Sequence, residues 1–206
     1  AEQDGESDNT YPEPRKIWIT YKSVFQGELD YLKPVIMLEI GARSLSEPYV
    51  MYKVKSLVEE NFPTIQTSVV DSEIATAVAG KTFLEKVFLL HELFSVAGHG
   101  ANANRKSRHL YDLYQMMDKD FAISAVKDDE LWENIRHHRE VFTSVKDMDY
   151  TPDVRKRIVL IPREDIIAVW EKDYAEMLAN MIYGSNKPTF KQIIEKMQVL
   201  QDRFRQ

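Results

Sequence analysis

Cysteine is absent from the 206-residue chain, which excludes disulfides and thiolate metal sites. There is no secretory h-region and no run of eighteen apolar residues. Neither export nor a spanning helix is therefore expected, and a cytoplasmic location is the default. Positive charge is not in excess: 27 Lys and Arg stand against 33 Asp and Glu, a formal net charge of -6. That balance argues against a protein that coats nucleic acid non-specifically, although it allows a local basic patch. No internal repeat is visible. The chain opens on Ala rather than Met, and residues Ala1 to Thr10 are polar and acidic. Such a start is expected to be a loop where the chain begins partway into a longer protein; a cleaved or engineered terminus fits equally well. What is present is an ordinary globular composition, 44% apolar and 29% charged. It suffices for a sizeable core in one large or two small domains, at ~100–200 residues per domain.

Lys16 to Tyr21 is rich in β-branched and aromatic residues, lies just after Pro12 and Pro14, and predicts a strand. Lys33-Pro34 introduces Val35 to Ile40, closed by Gly41, a second strand whose near-continuous apolarity predicts cover on both faces. Tyr52 to Asn61 predicts a short helix before Pro63, and Ile65 to Val70 a third strand. The pattern then turns helical: Lys81 to Val96, a flexible loop from Gly98 to Asn104, and further helices over Arg105 to Met117, Asp120 to Val126 and Asp129 to Thr143. Val145 to Pro162 is irregular, with a short strand expected at Ile158 to Ile161. A long amphipathic helix follows from Glu164 to Tyr183, ended by Gly184, and Thr189 caps the last helix before Gln192. The expected architecture is α+β: a small mixed sheet over residues 11–78, then a C-terminal helical bundle over 79–206.

Several residues can carry chemistry. Glu39 shares a strand face with Val35 and Met37. A carboxylate on an apolar face must be paired, protonated or metal-bound, because burying it alone costs several kcal/mol or more. One reading is a structural pair with Arg43; the other is a metal or nucleotide ligand at a sheet edge. Lys86 lies on a helix that is apolar almost all round. Projected at ~100° per residue, it falls among Leu89, Leu90 and Leu93, away from Glu85 and Glu92. Either its ammonium snorkels to water, or it meets a negative charge inside, for which a substrate phosphate is a candidate. Arg105, Lys106 and Arg108 form a basic cluster at a helix start. Arg108 and Asp112 are four apart and can form an exposed pair worth ~0.3–0.5 kcal/mol. Alternatively the cluster and the backbone N–H groups there bind phosphate, with Asp112 as a base or a lysine partner. The histidines have no second ligand at a metal-binding spacing and are read as surface or core residues. Asp118-Lys-Asp120 and Asp147-Met-Asp149 are read as turn acids. Trp170, Tyr174, Met177 and Met181 form a stripe expected to be core.

Three blocks in order resemble the AbiEii/AbiGii toxin family: Leu38-Glu39-Ile40-Gly41-Ala42-Arg43-Ser44, Lys81 to His91, and Ser107-Arg108-His109-Leu110-Tyr111-Asp112-Leu113. The tail Trp170-Glu-Lys-Asp173-Tyr174 with Met181-Ile-Tyr-Gly184 is similar as well. The resemblance spans Tyr11 to Leu200. It implies a nucleotidyltransferase-superfamily fold and transfer of a nucleotide from an NTP, GTP being one candidate, with Mg²⁺, to an RNA or protein acceptor. It further implies a toxin role in a bacterial toxin–antitoxin or phage-abortive system, with an antitoxin as partner. By position, Glu39 matches the third acidic metal ligand, and Lys86 the lysine on the nucleotide phosphates, a catalytic candidate together with Asp112. Arg43, Arg105 and Arg108 are the further nucleotide-binding candidates. His109 departs from the family block, which carries an Asp there. Members also carry a Gly-Ser turn followed by Asp-x-Asp on a strand, and these 206 residues contain no such segment. Transfer needs carboxylates that hold metal, so the chain as given is expected to be inactive. The alternatives are a non-catalytic module that binds an antitoxin or other protein, and a degenerate nucleotide binder.

Overall fold

The computed structural model describes residues 15–22, 34–40, 45, 47–62, 64 and 72–206. The expected α+β layout is what it shows. Strand β1 (Arg15–Thr20) pairs antiparallel with β2 (Val35–Ile40), placing Lys16 opposite Glu39 and Trp18 opposite Met37. Strand β3 (Tyr49–Val54) pairs antiparallel with β4 (Ser72–Ala77). Among the described residues these two hairpins are separate, and neither contains a parallel pair.

The helix expected over Tyr52 to Asn61 is shorter and later. Tyr49-Val50-Met51-Tyr52 has the β-branched and aromatic character of a strand and finds its partner in β4. The helix, α1 (Leu57–Asn61), starts only after Ser56. There the Ser56 hydroxyl accepts from the Glu59 N–H, and the Glu59 carboxylate accepts from the Ser56 N–H, a reciprocal capping box. The strand expected at Ile65 to Val70 lies outside the described residues. The cover expected over both faces of β2 is not found either: the residues of β1, and those of β2 after Val35, are exposed.

The core forms around α2 (Ala79–Ser95), which leads straight out of β4. Phe83, Leu84, Val87, Phe88 and Leu90 are fully buried and occupy several sides of the helix. A helix this apolar cannot lie on a surface. It is enclosed by α3 (Arg108–Met116), α4 (Asp120–Val126) and α5 (Asp129–His138). Helices α6 (Ile167–Asn180) and α7 (Phe190–Arg205) complete the bundle, α7 packing on α3. The expected core stripe of α6 is there in Trp170, Tyr174 and Met177, while Met181 is exposed. Aromatic contacts tie the helices together: Phe88 to Trp132 at 4.5 Å between centroids, Trp132 to Phe204 at 5.3 Å, and Phe94 edge-on to Trp170 at 4.6 Å. Thr189 caps α7 through Gln192, as expected.

Three further expectations change. The α5 helix continues beyond His138 as a π-helical turn (Arg139–Thr143) and stops at Ser144, whose φ is 44°. No strand forms at Ile158 to Ile161. Pro152–Arg157 is a 3-10 helix, and the amides that a strand would offer to a neighbour are taken by side chains. Val159 N–H donates to His91 Nδ1 at 3.1 Å, and Leu160 N–H to Gln201 Oε1 at 2.9 Å. The Gly98 to Asn104 loop is anchored rather than loose. Gly100 is buried, and its carbonyl accepts from the Trp170 indole at 2.8 Å. Its φ is 73°, and a Cβ there would lie 2.6 Å from the Leu93 carbonyl oxygen, so only glycine fits.

His91 is accordingly a core residue, 3% exposed, with Nδ1 also 2.5 Å from Ser95 Oγ. Burial, aided by Arg157 and Arg205 and opposed by Asp149, pushes its pKa from 6.5 down to about 4. The unfolded chain takes up a proton that the folded chain refuses. Stability should therefore fall as pH drops from 6.5 to about 4, by about 3 kcal/mol from this group alone. Urea denaturation across that window checks the slope. His91→Gln should flatten it, and an unchanged slope would remove His91 from this role.

Candidate functional site

Lys86 finds its negative charge inside the protein. Its Nζ lies 2.8 Å from Asp112 Oδ2, with the two side chains 23% and 39% exposed. The same ammonium is 3.4 Å from His109 Nδ1. His109 and Asp112 are three apart on α3 and so share one face, and the packing of α3 on α2 brings that face to Lys86. Asp112 therefore pairs with Lys86 and not with Arg108, the partner that spacing alone suggested. An ammonium only donates, so His109 Nδ1 accepts and the ring proton stays on Nε2. Burial first, then Lys86 and Arg108, push the His109 pKa down to about 4 against the pull of Asp112. His109 is therefore neutral near pH 7.

Next to this pair is a cleft of about 680 Å³. Leu89 and Leu93 of α2 form an apolar wall, and Arg105, Lys106, Arg108 and His109 line another side. Lys86 is not part of the lining; it reaches the cleft through His109. Arg108 makes no ion pair among the described residues. Glu92 and Arg139 also line the cleft, but each neutralises the other. Arg139 Nε is 2.7 Å from Glu92 Oε1, and its Nη2 is 2.5 Å from Oε2; the Tyr150 hydroxyl donates to Oε1 at 2.8 Å. Burial, then the Glu92 charge, hold the Tyr150 hydroxyl above its ordinary range. The facing cationic residues thus act without competition from this acid.

The backbone at the start of α3 is already in use. Asp173 of α6, 9% exposed, accepts from the Arg105 N–H at 2.6 Å and the Ser107 N–H at 2.9 Å. Arg105 has a φ of 57°, so α3 begins at Arg108 rather than Arg105. The phosphate role given to those N–H groups does not hold for these two, and the cationic side chains remain as the donors. Asp173 holds the turn that presents Arg105, Lys106 and Arg108. Spacing did not reveal this, since the partners are 68 and 66 positions apart.

The remaining candidates are not gathered here. Glu39 is exposed on β2, opposite Lys16. Its apolar face is not buried, so burial does not force it into a pair. Met37, on the same strand face, borders the cleft. Arg43 lies outside the described residues. Among the described residues no group of three or more His, Asp or Glu side chains can hold a metal ion, so these residues by themselves do not fit Mg²⁺. Both Asp-x-Asp segments hold cations of the protein through their turns: Asp118 binds Lys196 and Arg203, and Asp149 binds Arg157.

The fold and site are thus an α+β chain with a cleft that carries basic side chains beside a lysine–aspartate pair. The chain matches the model of the nucleotidyl transferase AbiEii toxin, type IV toxin–antitoxin system, over residues 1–196, and it belongs to that family. No curated protein and no solved structure matches it.

Asp173→Ala should free the two amides and cost about 2 kcal/mol. Hydrogen exchange at the Arg105 and Ser107 amides should accelerate. Unaltered exchange there would show that the carboxylate does not hold the turn.

Proposed function

We propose that this chain binds the phosphates of a nucleoside triphosphate in the cleft, as the nucleotide-contacting part of a nucleotidyltransferase toxin that acts in the cytoplasm. The observation that supports it most is the set Arg105, Lys106 and Arg108 facing an open cleft beside the Lys86–Asp112 pair. Arginine forks suit phosphate oxygens, and a nearby lysine adds point charge. His109 connects the two parts. Its Nδ1 accepts from Lys86, so its Nε2–H is free to donate toward a phosphate oxygen, polarised by the ammonium behind it. Asp112 orients Lys86 and keeps that half-buried charge compensated. It acts as the lysine's partner rather than as a base.

Transfer itself requires carboxylates that hold metal and neutralise developing charge, and among the described residues no group of three or more can hold a metal ion. On this reading the described residues bind nucleotide without transferring it, and the acceptor is an RNA or protein hydroxyl. Family membership brings an antitoxin as regulatory partner. No described helix is long and apolar enough to cross a membrane.

Calorimetric titration with GTP, ATP, CTP and UTP in the presence of Mg²⁺ tests the binding. Arg108→Ala removes a charge-assisted contact and Lys86→Ala the ammonium that polarises His109, and each should weaken the preferred triphosphate about tenfold. Affinity untouched by both changes defeats the assignment of the cleft. In a separate assay with labelled NTPs and RNA, the unaltered chain should leave the RNA unlabelled; incorporation would overturn the reading of binding without transfer.

A further inference from the structure

A second cleft, of about 810 Å³, shares no lining residue with the first. It lies where α4, the 3-10 helix and α7 meet. Ile123 and Val126 of α4, with Pro152, give it an apolar surface, and Phe204 closes the bottom. Its rim is basic: Lys127, Arg155, Lys156 and Arg203.

The four rim cations are not equivalent. Arg155 is paired with Asp129 and lies over the Trp132 ring at 5.3 Å from its centroid. Arg203 donates to the Met117 carbonyl at 2.7 Å and to Asp118 at 2.6 Å. Both hold the walls in place. Lys127 and Lys156 are exposed and have no ion pair among the described residues. Asp153, the acid in the lining, is bound by Arg157 at 2.6 Å. The cleft thus presents uncompensated positive charge around an apolar floor, in a chain whose net charge is -6.

We infer that this cleft docks an acidic amphipathic segment of another protein, with aliphatic or aromatic side chains on the floor and carboxylates against Lys127 and Lys156. Such a segment offers apolar anchors at i, i+3 or i+4 and i+7, with acids beside them. Charge complementarity favours this occupant, since carboxylates would meet Lys127 and Lys156 here in a chain whose net charge is -6. Nucleic acid fits less well. Phe204 is only 2% exposed, so the lining offers no aromatic face for a base to stack on, and two free lysines make a short phosphate track. The inference is independent of the nucleotide reading, because the two clefts have different walls.

The probe is a synthetic helical peptide with Leu at i, i+4 and i+7 and Glu at most other positions, labelled for fluorescence anisotropy. The chain should bind it. Lys127→Glu combined with Lys156→Glu, both at exposed positions, should weaken binding about tenfold or more. Ile123→Glu should weaken it as well, and circular dichroism should show all variants folded. Two control peptides, one with Lys in place of Glu and one with Ser in place of Leu, should bind poorly. Three outcomes overturn the inference: no binding of the acidic peptide, binding that neither set of substitutions alters, or an RNA oligonucleotide that binds this cleft and loses affinity in the lysine variants while the peptide does not. Nucleotide affinity measured on the same variants should be unchanged, which separates this result from any failure at the first cleft.

Discussion

A helix that is apolar on nearly every side has to be surrounded, and α2 imposes that requirement on the whole chain. Phe83, Leu84, Val87, Phe88, Leu90 and Phe94 are buried on α2, and Leu89 and Leu93 beside them border the cleft. Three helices must therefore pack around it, and the rings of Trp132, Trp170 and Phe204 fill the spaces between them. Burial at about 25 cal/mol per Å² of apolar surface makes this the main source of stability. The positions of Lys86, His109 and Asp112 follow from it.

The same enclosure sets the chemistry. Each polar residue carried by α2 into the interior must find a partner, because a buried charge or donor left alone is costly. Lys81 reaches the Leu45 carbonyl, Lys86 meets Asp112, His91 accepts from the Val159 amide, and Glu92 takes Arg139 and Tyr150. These partners come from the loop before β3, from α3, from the extended segment after the 3-10 helix and from the π-helical turn. A single helix thus gathers distant parts of the chain through its polar residues. The cleft lies where two of those pairs, Lys86–Asp112 and Glu92–Arg139, meet the turn held by Asp173.

Much of this was legible in the residues. Val35 to Ile40 and Asp120 to Val126 have the predicted bounds, and α7 begins at its predicted cap. Each is marked by strong local signals: a β-branched run, a helical apolar period, a Thr–Gln box. The anomaly of Lys86 was legible too, and so was its need for an anion. Strand β4 was not, because Ser-Glu-Ile-Ala-Thr-Ala has weak strand preference and becomes a strand only through pairing with β3. The start of α3 was misplaced because a carboxylate on α6 decides it. The exposure of Glu39 was missed because alternation tells which residues share a face, but not whether anything covers that face.

By itself the sequence determined where most of the helices lie, the cap of α7, the location of the basic cluster and the lysine that required compensation. These depend on contacts between residues a few positions apart, which spacing encodes directly. Only the tertiary structure decided which anion answers Lys86, which carboxylate holds the basic turn, and which cations face a cleft. Those choices depend on pairs tens of residues apart, and there the packing of one helix against another, rather than any local rule, brings the groups within hydrogen-bond range.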